Sequence, residues 1–525
     1  MSATDVEMPR YDRRLLSPAI VHIGVGGFHR AHQAVYLDEL ARAGETEWGE
    51  LGVGLHTPAM RDALRAQDWL FTVVERDKIG DSARVVGSMT DYLFAPDDPG
   101  AVLDVLAGGR TRVVTLTVTG DGYNLDAQGN FRADSAAVLA DLHRPHSPTT
   151  WYGFIVGALD RRRAAGLPGF TVLSCDNLPD SGAAARTAVL CFARMRNELL
   201  ATWIERNVTF PNSMVDRITP QSDASLRQLV SKVFGIDDRW PVVAEPFRQW
   251  VVEDSFCNGR PPLERVGVGF VSDVRPYKLL KSRLLNGSHS AMGYLGYLAG
   301  HTTTAQVMDD PDLHSYIAAL MRDEIGPLVP HVPGVDVNAY QRTLLQRFGN
   351  PRVEDQLTRL CGRGSTKMPA YLLPSLAEAH RGGRRAHLLT LAVAGWFRYL
   401  QGRDMAGRPF EVHDPRGRQL QRLARLGGTD PRPLLEEGTI MGQLRHDETL
   451  RRNLQRALHD LETHGPVVAA RHRIVCRPVP ALTATSTSAW SGPRHTSHLP
   501  VRAATFDRTG LAAVGDSDRR VSVGE

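Results

Sequence analysis

A glycine turn set between an apolar strand and a helix start constrains this chain most: Ile20-Val21-His22-Ile23-Gly24-Val25-Gly26-Gly27-Phe28-His29-Arg30. A strand that ends in Gly-x-Gly and passes directly into a helix is the first βα unit of a doubly wound sheet. Gly24 permits the tight turn, and Gly26 lets the backbone approach a pyrophosphate at the helix N-terminus. Gly24, Val25, Gly26, Gly27 and Phe28 are therefore candidate cofactor-binding residues. The third glycine of the usual GxGxxG is absent, because position 29 is His.

The pattern that follows is consistent with that unit. Apolar and β-branched runs predict strands over 18–23, 51–55, 112–119 and 170–174, alternating with helices over 31–42 and 182–206. Cys175-Asp176-Asn177-Leu178-Pro179 follows the last of these strands, where ligands bind in such sheets. The acid expected on a cofactor ribose is less clear. His56-Thr57-Pro58 follows the second strand, Asp62 and Glu50 are poor substitutes, and Arg61 is placed to meet a 2′-phosphate. NAD is preferred, with NADP not excluded.

From Pro276 the pattern turns helical, with helices predicted over 276–300, 314–323, 337–348, 374–380, 386–401 and 449–463. The expected fold is α/β: a Rossmann-like doubly wound domain over 18–280 behind an extension of 1–17, then a mainly α-helical domain over 281–476. Residues 477–525, rich in Ser, Thr, Arg and Pro, are expected to be disordered. A chain of 525 residues is long enough for two lobes with a ligand cleft between them, so a monomer suffices.

Charge removes several function classes. With 62 basic against 58 acidic residues, no net field argues for nucleic acid, and no apolar run is long enough to span a membrane. The N-terminus MSATDVEMPR has no secretory apolar segment, so a cytoplasmic protein is expected. Five scattered cysteines lack CxxC spacing, which suggests neither a zinc cluster nor a disulfide framework.

Only five of the basic residues are lysine: Lys78, Lys232, Lys278, Lys281 and Lys367. Where arginine is the default cation, a lysine is a candidate for giving up its proton near neutral pH. Lys281 opens Lys281-Ser282-Arg283-Leu284-Leu285-Asn286-Gly287-Ser288-His289. On a regular helix Asn286 lies about 140° and His289 about 80° from Lys281, so all three share one broad face. In a dry cleft such a lysine can serve as general base for a hydroxyl proton while hydride leaves the same carbon. Gly287 inside that helix suggests close approach by another group.

These segments, with SCDNLPDSG, FPNSMVDRITP (Phe210 to Pro220) and RLCGRGSTKMP (Arg359 to Pro369), resemble the mannitol dehydrogenase family of long-chain polyol dehydrogenases. The resemblance runs from about Pro18 to Arg471 and is strongest to the branch that oxidises mannitol at C2, with fructuronate reductases as close relatives. It implies a metal-independent, nicotinamide-dependent oxidation of D-mannitol or a similar polyol to a ketose such as D-fructose. By the same resemblance Lys281 is the catalytic base, and Asn177 and Asn286 polarise the reacting oxygen. His289 orients the substrate, Arg359 and Lys367 bind the polyol, and Asp216 lies on the cofactor side of the site.

Two departures stand out: Lys278 where the family commonly has glutamate, and Gly120 where TxTExGY is expected. The first is expected to alter the pH profile of an active enzyme; Asp121 is a candidate replacement at the second. A hexuronate reductase using Arg359 and Lys367 on a carboxylate, and a nucleotide-binding module without catalysis, are the competing readings.

Overall fold

The computed structural model describes residues 6–126 and 128–475. The expected disordered tail lies outside the described residues. Five parallel strands form the central sheet: β1 (Pro18–Ile23), β2 (Gly49–Gly54), β3 (Met89–Phe94), β4 (Val113–Leu116) and β5 (Thr171–Ser174). Their order is β3-β2-β1-β4-β5, with β1 central. This doubly wound order creates a crevice at the carboxyl ends of β1 and β4, where the chain winds to opposite sides. Both faces are covered by helices, so every residue of β4 and β5 is buried, and the strands read as continuous apolar runs rather than alternating ones.

Two smaller sheets flank this core. Val6–Glu7, Gly80–Val86, Phe71–Asp77 and Val242–Ala244 form one; Gly269–Val271, Gln249–Glu253 and Ser213–Asp216 form the other. None of these strands was anticipated. Several are only three to five residues long and buried, so no alternation marks them.

Helix boundaries differ where local caps intervene. The helix expected over 182–206 is two, Ser181–Arg196 and Glu198–Asn207, because Asn197 takes extended φ/ψ and accepts from the N–H groups of Leu199 and Leu200. The helix expected over 31–42 breaks at His32 into Gly27–Ala31 and Gln33–Arg42. The last helix, Glu448–Val475, runs past the expected 463 through a kink at Gly465 (φ 77°). Val337–Phe348 is as predicted.

The helical half starts at Arg275 and packs about one large apolar core, with Leu284, Leu285, Met292 and Leu295 of the lysine helix inside it. The run Arg275–Leu298 is continuous but irregular: Arg275–Leu280 and Gly287–Leu298 are α-helical, and Lys281–Asn286 is π-helical. Among the described residues no helix is long and apolar enough to cross a membrane.

Candidate active site

Gly24 sits at φ 98°, and a Cβ there would lie 2.4 Å from the Thr117 carbonyl oxygen, so only glycine fits the turn. The Thr117 hydroxyl donates to the Gly24 carbonyl (2.8 Å) and fixes the turn against the end of β4. At Gly26 the space is open, with nothing nearer than the Gly24 carbonyl at 3.7 Å. The helix that follows begins with no side-chain cap, leaving its first N–H groups toward a cavity. That cavity, about 410 Å³, is lined by Gly24, Gly26, Gly27 and Phe28 on one side and by Asn177, Asp216, Lys281, Asn286, His289 and Arg359 on the other.

Ten of the twelve residues singled out from the sequence thus meet in one cavity. The exceptions are Val25, whose side chain packs into the apolar core beneath the turn, and Lys367. The Lys367 ammonium donates to the carbonyls of Arg359 (2.8 Å) and Leu360 (3.1 Å), so it closes the end of the short helix Leu357–Cys361. It also lines a neighbouring cavity with Asn177 and Lys281, and two of its three N–H donors are taken by these carbonyls.

His29, where a third glycine was sought, is fully buried. Its ring stacks on His22 with centroids 3.6 Å apart, and its Nε2 meets Glu50. Glu50 is therefore inside the fold and unavailable to a ribose. Burial raises its carboxyl to about 7 and lowers His29 to about 3. His22, His29 and Glu50 are metal-type side chains close together, but the two imidazole planes lie only 10° apart, so their lone pairs do not converge on one ion. Arg61 is spent on Asp97 and, at 2.8 Å, on Asp62. It offers no free guanidinium to a 2′-phosphate.

The lysine helix departs from the regular geometry assumed for it. In a π turn the hydrogen bonds run i→i+5, which brings Asn286 round under Lys281 rather than about 140° away. A Cβ at Gly287 would touch the Tyr371 carbonyl oxygen at 3.4 Å, the close approach its sequence position suggested. Lys281 is 6% exposed, and its ammonium donates to Asn177 Oδ1 (2.8 Å) and the Val215 carbonyl (2.5 Å). Burial lowers its pKa, Asp216 opposes this, Arg347 adds to it, and Glu245 opposes it. Because the Asn177 carbonyl oxygen is committed to the ammonium, the amide N–H₂ is left for the cavity. The Asn286 amide makes no hydrogen bond within the described residues.

Burial pushes His289 down to about 3 and keeps it neutral, with Nε2 unpartnered and the ring 4.7 Å from Phe348. Arg359 forms a two-pronged pair with Asp355 (2.7 and 2.6 Å). Asp216 closes the strand Ser213–Asp216, with both oxygens taken by Arg347 (2.9 and 3.0 Å). It lines the cavity of Lys281 and the glycine turn as a carboxylate paired with Arg347.

Three residues were given no role from the sequence. Asp176 accepts from the N–H groups of Val118 (3.1 Å) and Thr119 (2.9 Å) and from the Tyr123 hydroxyl (2.7 Å), and so holds Thr119 at its strained φ of 64°. Arg347 and Glu245 are the others. Arg347 lies on the same face of its helix as Tyr340 and Leu344, and a charge on an apolar face is a signal that could have been read.

Of the two departures, Asp121 points outward: its side chain is 77% exposed and meets Arg363 at 3.2 Å, so it does not replace the missing glutamate. Lys278 is buried, donating to the Leu178 carbonyl (3.2 Å), Ser181 Oγ (3.1 Å) and Asn212 Oδ1 (3.1 Å). Burial lowers it to about 8, Asp180 and Glu253 oppose, and the Lys281 charge adds to the lowering. In Lys278→Glu a carboxylate would face two carbonyl-type oxygens, with an expected stability loss of roughly 1–3 kcal/mol. The same exchange removes a like charge beside Lys281 and moves the ascending limb of polyol oxidation to higher pH. A pH–rate curve superimposable on that of the unaltered protein would contradict this.

Comparison with known proteins decides the family. The family model described as "Mannitol dehydrogenase Rossmann domain" matches residues 18–265, and that of the "Mannitol dehydrogenase C-terminal domain" matches 273–462. The chain belongs to the mannitol dehydrogenase family. Mannitol dehydrogenase 2 of Saccharomyces cerevisiae is 46% identical over 471 residues, 88% of this chain and 94% of that one. Mannitol 2-dehydrogenase of Aspergillus oryzae is 44% identical over 473 residues, again 88% and 94%. Among solved structures, the Pseudomonas fluorescens mannitol 2-dehydrogenase ternary complex with NAD and D-mannitol superposes with a TM-score of 0.82 at 42% identity, covering 90% of this chain and 98% of that one. A D-sorbitol dehydrogenase in substrate-free form gives 0.83 at 35% identity, covering 89% and 97%. The family's two-domain α/β architecture is the one described above.

Proposed function

We propose that the protein catalyses the reversible, nicotinamide-dependent oxidation of D-mannitol, or a polyol of similar configuration, to D-fructose, with NAD as cofactor and Lys281 as general base. The observation that carries this reading is the Lys281 ammonium, buried and 2.8 Å from Asn177 Oδ1, in the same cavity as the open face of the glycine turn. The residues fit a nicotinamide dinucleotide: Gly24 permits the tight turn, Gly26 leaves the room that a Cβ would fill, and Arg61 is paired with Asp62 and Asp97 rather than open to a 2′-phosphate. When bound, the cofactor accepts the hydride from the substrate carbon.

The remaining steps fall to the chain's own groups. The amide N–H₂ groups of Asn177 and Asn286 hold the reacting oxygen, and neutral Lys281 takes its hydroxyl proton. Neutral His289 offers Nε2 to a neighbouring hydroxyl. In ketone reduction the ammonium returns the proton. Because burial lowers the Lys281 pKa, neutral amine is available for oxidation at lower pH than an exposed lysine would allow.

The cations lining the cavity argue for a neutral substrate. Arg359 is held by Asp355, and Arg217 by the carbonyls of Glu245 and Ala31 and by Glu75. Lys367, outside that lining, gives two of its three donors to backbone carbonyls. Arg359 Nη1 and a single N–H of Lys367 remain for substrate, a set that suits hydroxyl groups better than a two-pronged carboxylate. In this reading the chain works as a nucleotide-binding domain over 18–280 and a helical substrate domain from 281, and one copy carries the whole residue set.

The test is a matrix of NADH and NADPH against fructose and fructuronate. Turnover of fructose with NADH, undiminished by EDTA, is expected, with NADPH at least tenfold slower. Turnover of the uronate alone would overturn the reading.

A further inference from the structure

Arg347 ends the helix Val337–Phe348 and is 5% exposed on its side chain, yet it touches none of the cavity residues expected to bind substrate. Its guanidinium makes two double-pronged pairs. Nη1 and Nη2 donate to Asp216 at 2.9 and 3.0 Å; Nε and Nη2 donate to Glu245 at 2.9 and 2.7 Å. The Phe247 ring covers it at 4.0 Å, and Glu245 also accepts from the Ile218 N–H at 2.6 Å. Both carboxylates are 3% exposed and come from the sheet-bearing half, whereas Arg347 comes from the helical half. Val215, immediately before Asp216, carries the carbonyl that accepts from the Lys281 ammonium. Phe348, immediately after Arg347, packs against the His289 ring.

Resting on the role of Lys281 given above, we propose that Arg347 is a positioning residue for the reaction: by gripping Asp216 and Glu245 together it fixes the net charge that the lysine faces. Lys281, Arg347, Asp216 and Glu245 form a buried set of two cations and two anions that is neutral when the lysine is protonated. Other groups around Lys281 contribute less charge. Lys278 lies one turn earlier on its own helix, His32 and His289 are held neutral by burial, and the Arg217 guanidinium is directed to Glu75. Burial lowers the Lys281 pKa most. Of the charges, Asp216 raises it, Arg347 lowers it, and Glu245 raises it to a smaller extent than Arg347 lowers it.

The two partners of the grip are therefore expected to act in opposite directions. The readout is the pH dependence of kcat/KM for polyol oxidation in the full-length protein. In Arg347→Met the Asp216 charge is no longer offset, the ammonium is favoured, and the ascending limb moves up by about one pH unit. In Glu245→Gln the Arg347 charge is less offset, the ammonium is disfavoured, and the limb moves down by a similar amount. Arg347→Lys, which keeps the charge, restores the limb to within a few tenths of a unit.

A structural role alone would not split the signs: loosening the cavity hydrates Lys281 and moves every variant up. An unmoved limb in Glu245→Gln, or an upward shift in both variants, would overturn the proposal. Glu245→Gln keeps the Arg347–Asp216 pair and decides the matter if Arg347→Met does not fold. If instead Lys281→Ala keeps the limb, the role of Lys281 fails, an outcome distinct from failure of the Arg347 grip.

Discussion

Replacing Lys281 by alanine is expected to lower kcat for mannitol oxidation and for fructose reduction by about 10²–10⁴-fold, the usual contribution of a positioned general acid–base group. The loss should fall on both directions because one side chain takes the hydroxyl proton and returns it. KM should change little, since the buried ammonium is held by Asn177 Oδ1 and the Val215 carbonyl rather than by substrate. Cofactor affinity, read by quenching of intrinsic fluorescence on NADH binding, should be retained, because the Lys281 ammonium bonds Asn177 and Val215 and neither belongs to the glycine turn. A variant that retained turnover within tenfold would remove Lys281 from the chemistry.

The two asparagines should separate into distinct effects. Asn286→Ala removes a donor to the reacting oxygen, and the expected cost is about 10²–10³ in kcat, as for other oxyanion-hole donors. Its amide is not bonded to Lys281, so the pH profile should keep its shape. Asn177→Ala removes a donor of the same kind and also the carbonyl that accepts from the ammonium at 2.8 Å. Losing an acceptor for the charged form disfavours it, so the ascending limb of oxidation should move to lower pH while kcat falls. Equal pH profiles in both variants, measured over pH 6 to 10, would show that Asn177 does not hold the base.

The parts of this site legible in the sequence were those whose chemistry forces a residue type. Gly24 had to be glycine because its φ of 98° and the Thr117 carbonyl leave no room for a side chain. Lys281, Asn286 and His289 could be grouped from spacing alone, although the spacing argument assumed a regular helix. The π turn at Lys281–Asn286 is a shift of backbone hydrogen bonds with no residue signature, so the sequence gives no warning of it.

Lys367 shows the opposite limit. Family resemblance places it on the substrate, and no sequence pattern marks its second engagement, two N–H donors given to the Arg359 and Leu360 carbonyls where a short helix ends. Arg347 was hidden because an arginine on an amphipathic helix ordinarily reads as a solvated charge. Its partners Asp216 and Glu245 lie 131 and 102 residues away in the chain. The flanking strands escaped for a similar reason: Ser213–Asp216 and Val242–Ala244 are buried on both sides and too short to show a period.

The central claim is that a buried lysine amine carries the proton in this cavity, and chemical rescue of Lys281→Ala tests it most directly. The variant is assayed for NAD-dependent mannitol oxidation across pH with small primary amines of graded pKa. The account predicts a variant without the ascending limb of the unaltered protein, a rate restored in proportion to added free amine, and a rescued limb that follows the pKa of the amine supplied. A variant that keeps the original limb and is indifferent to added amine would contradict it.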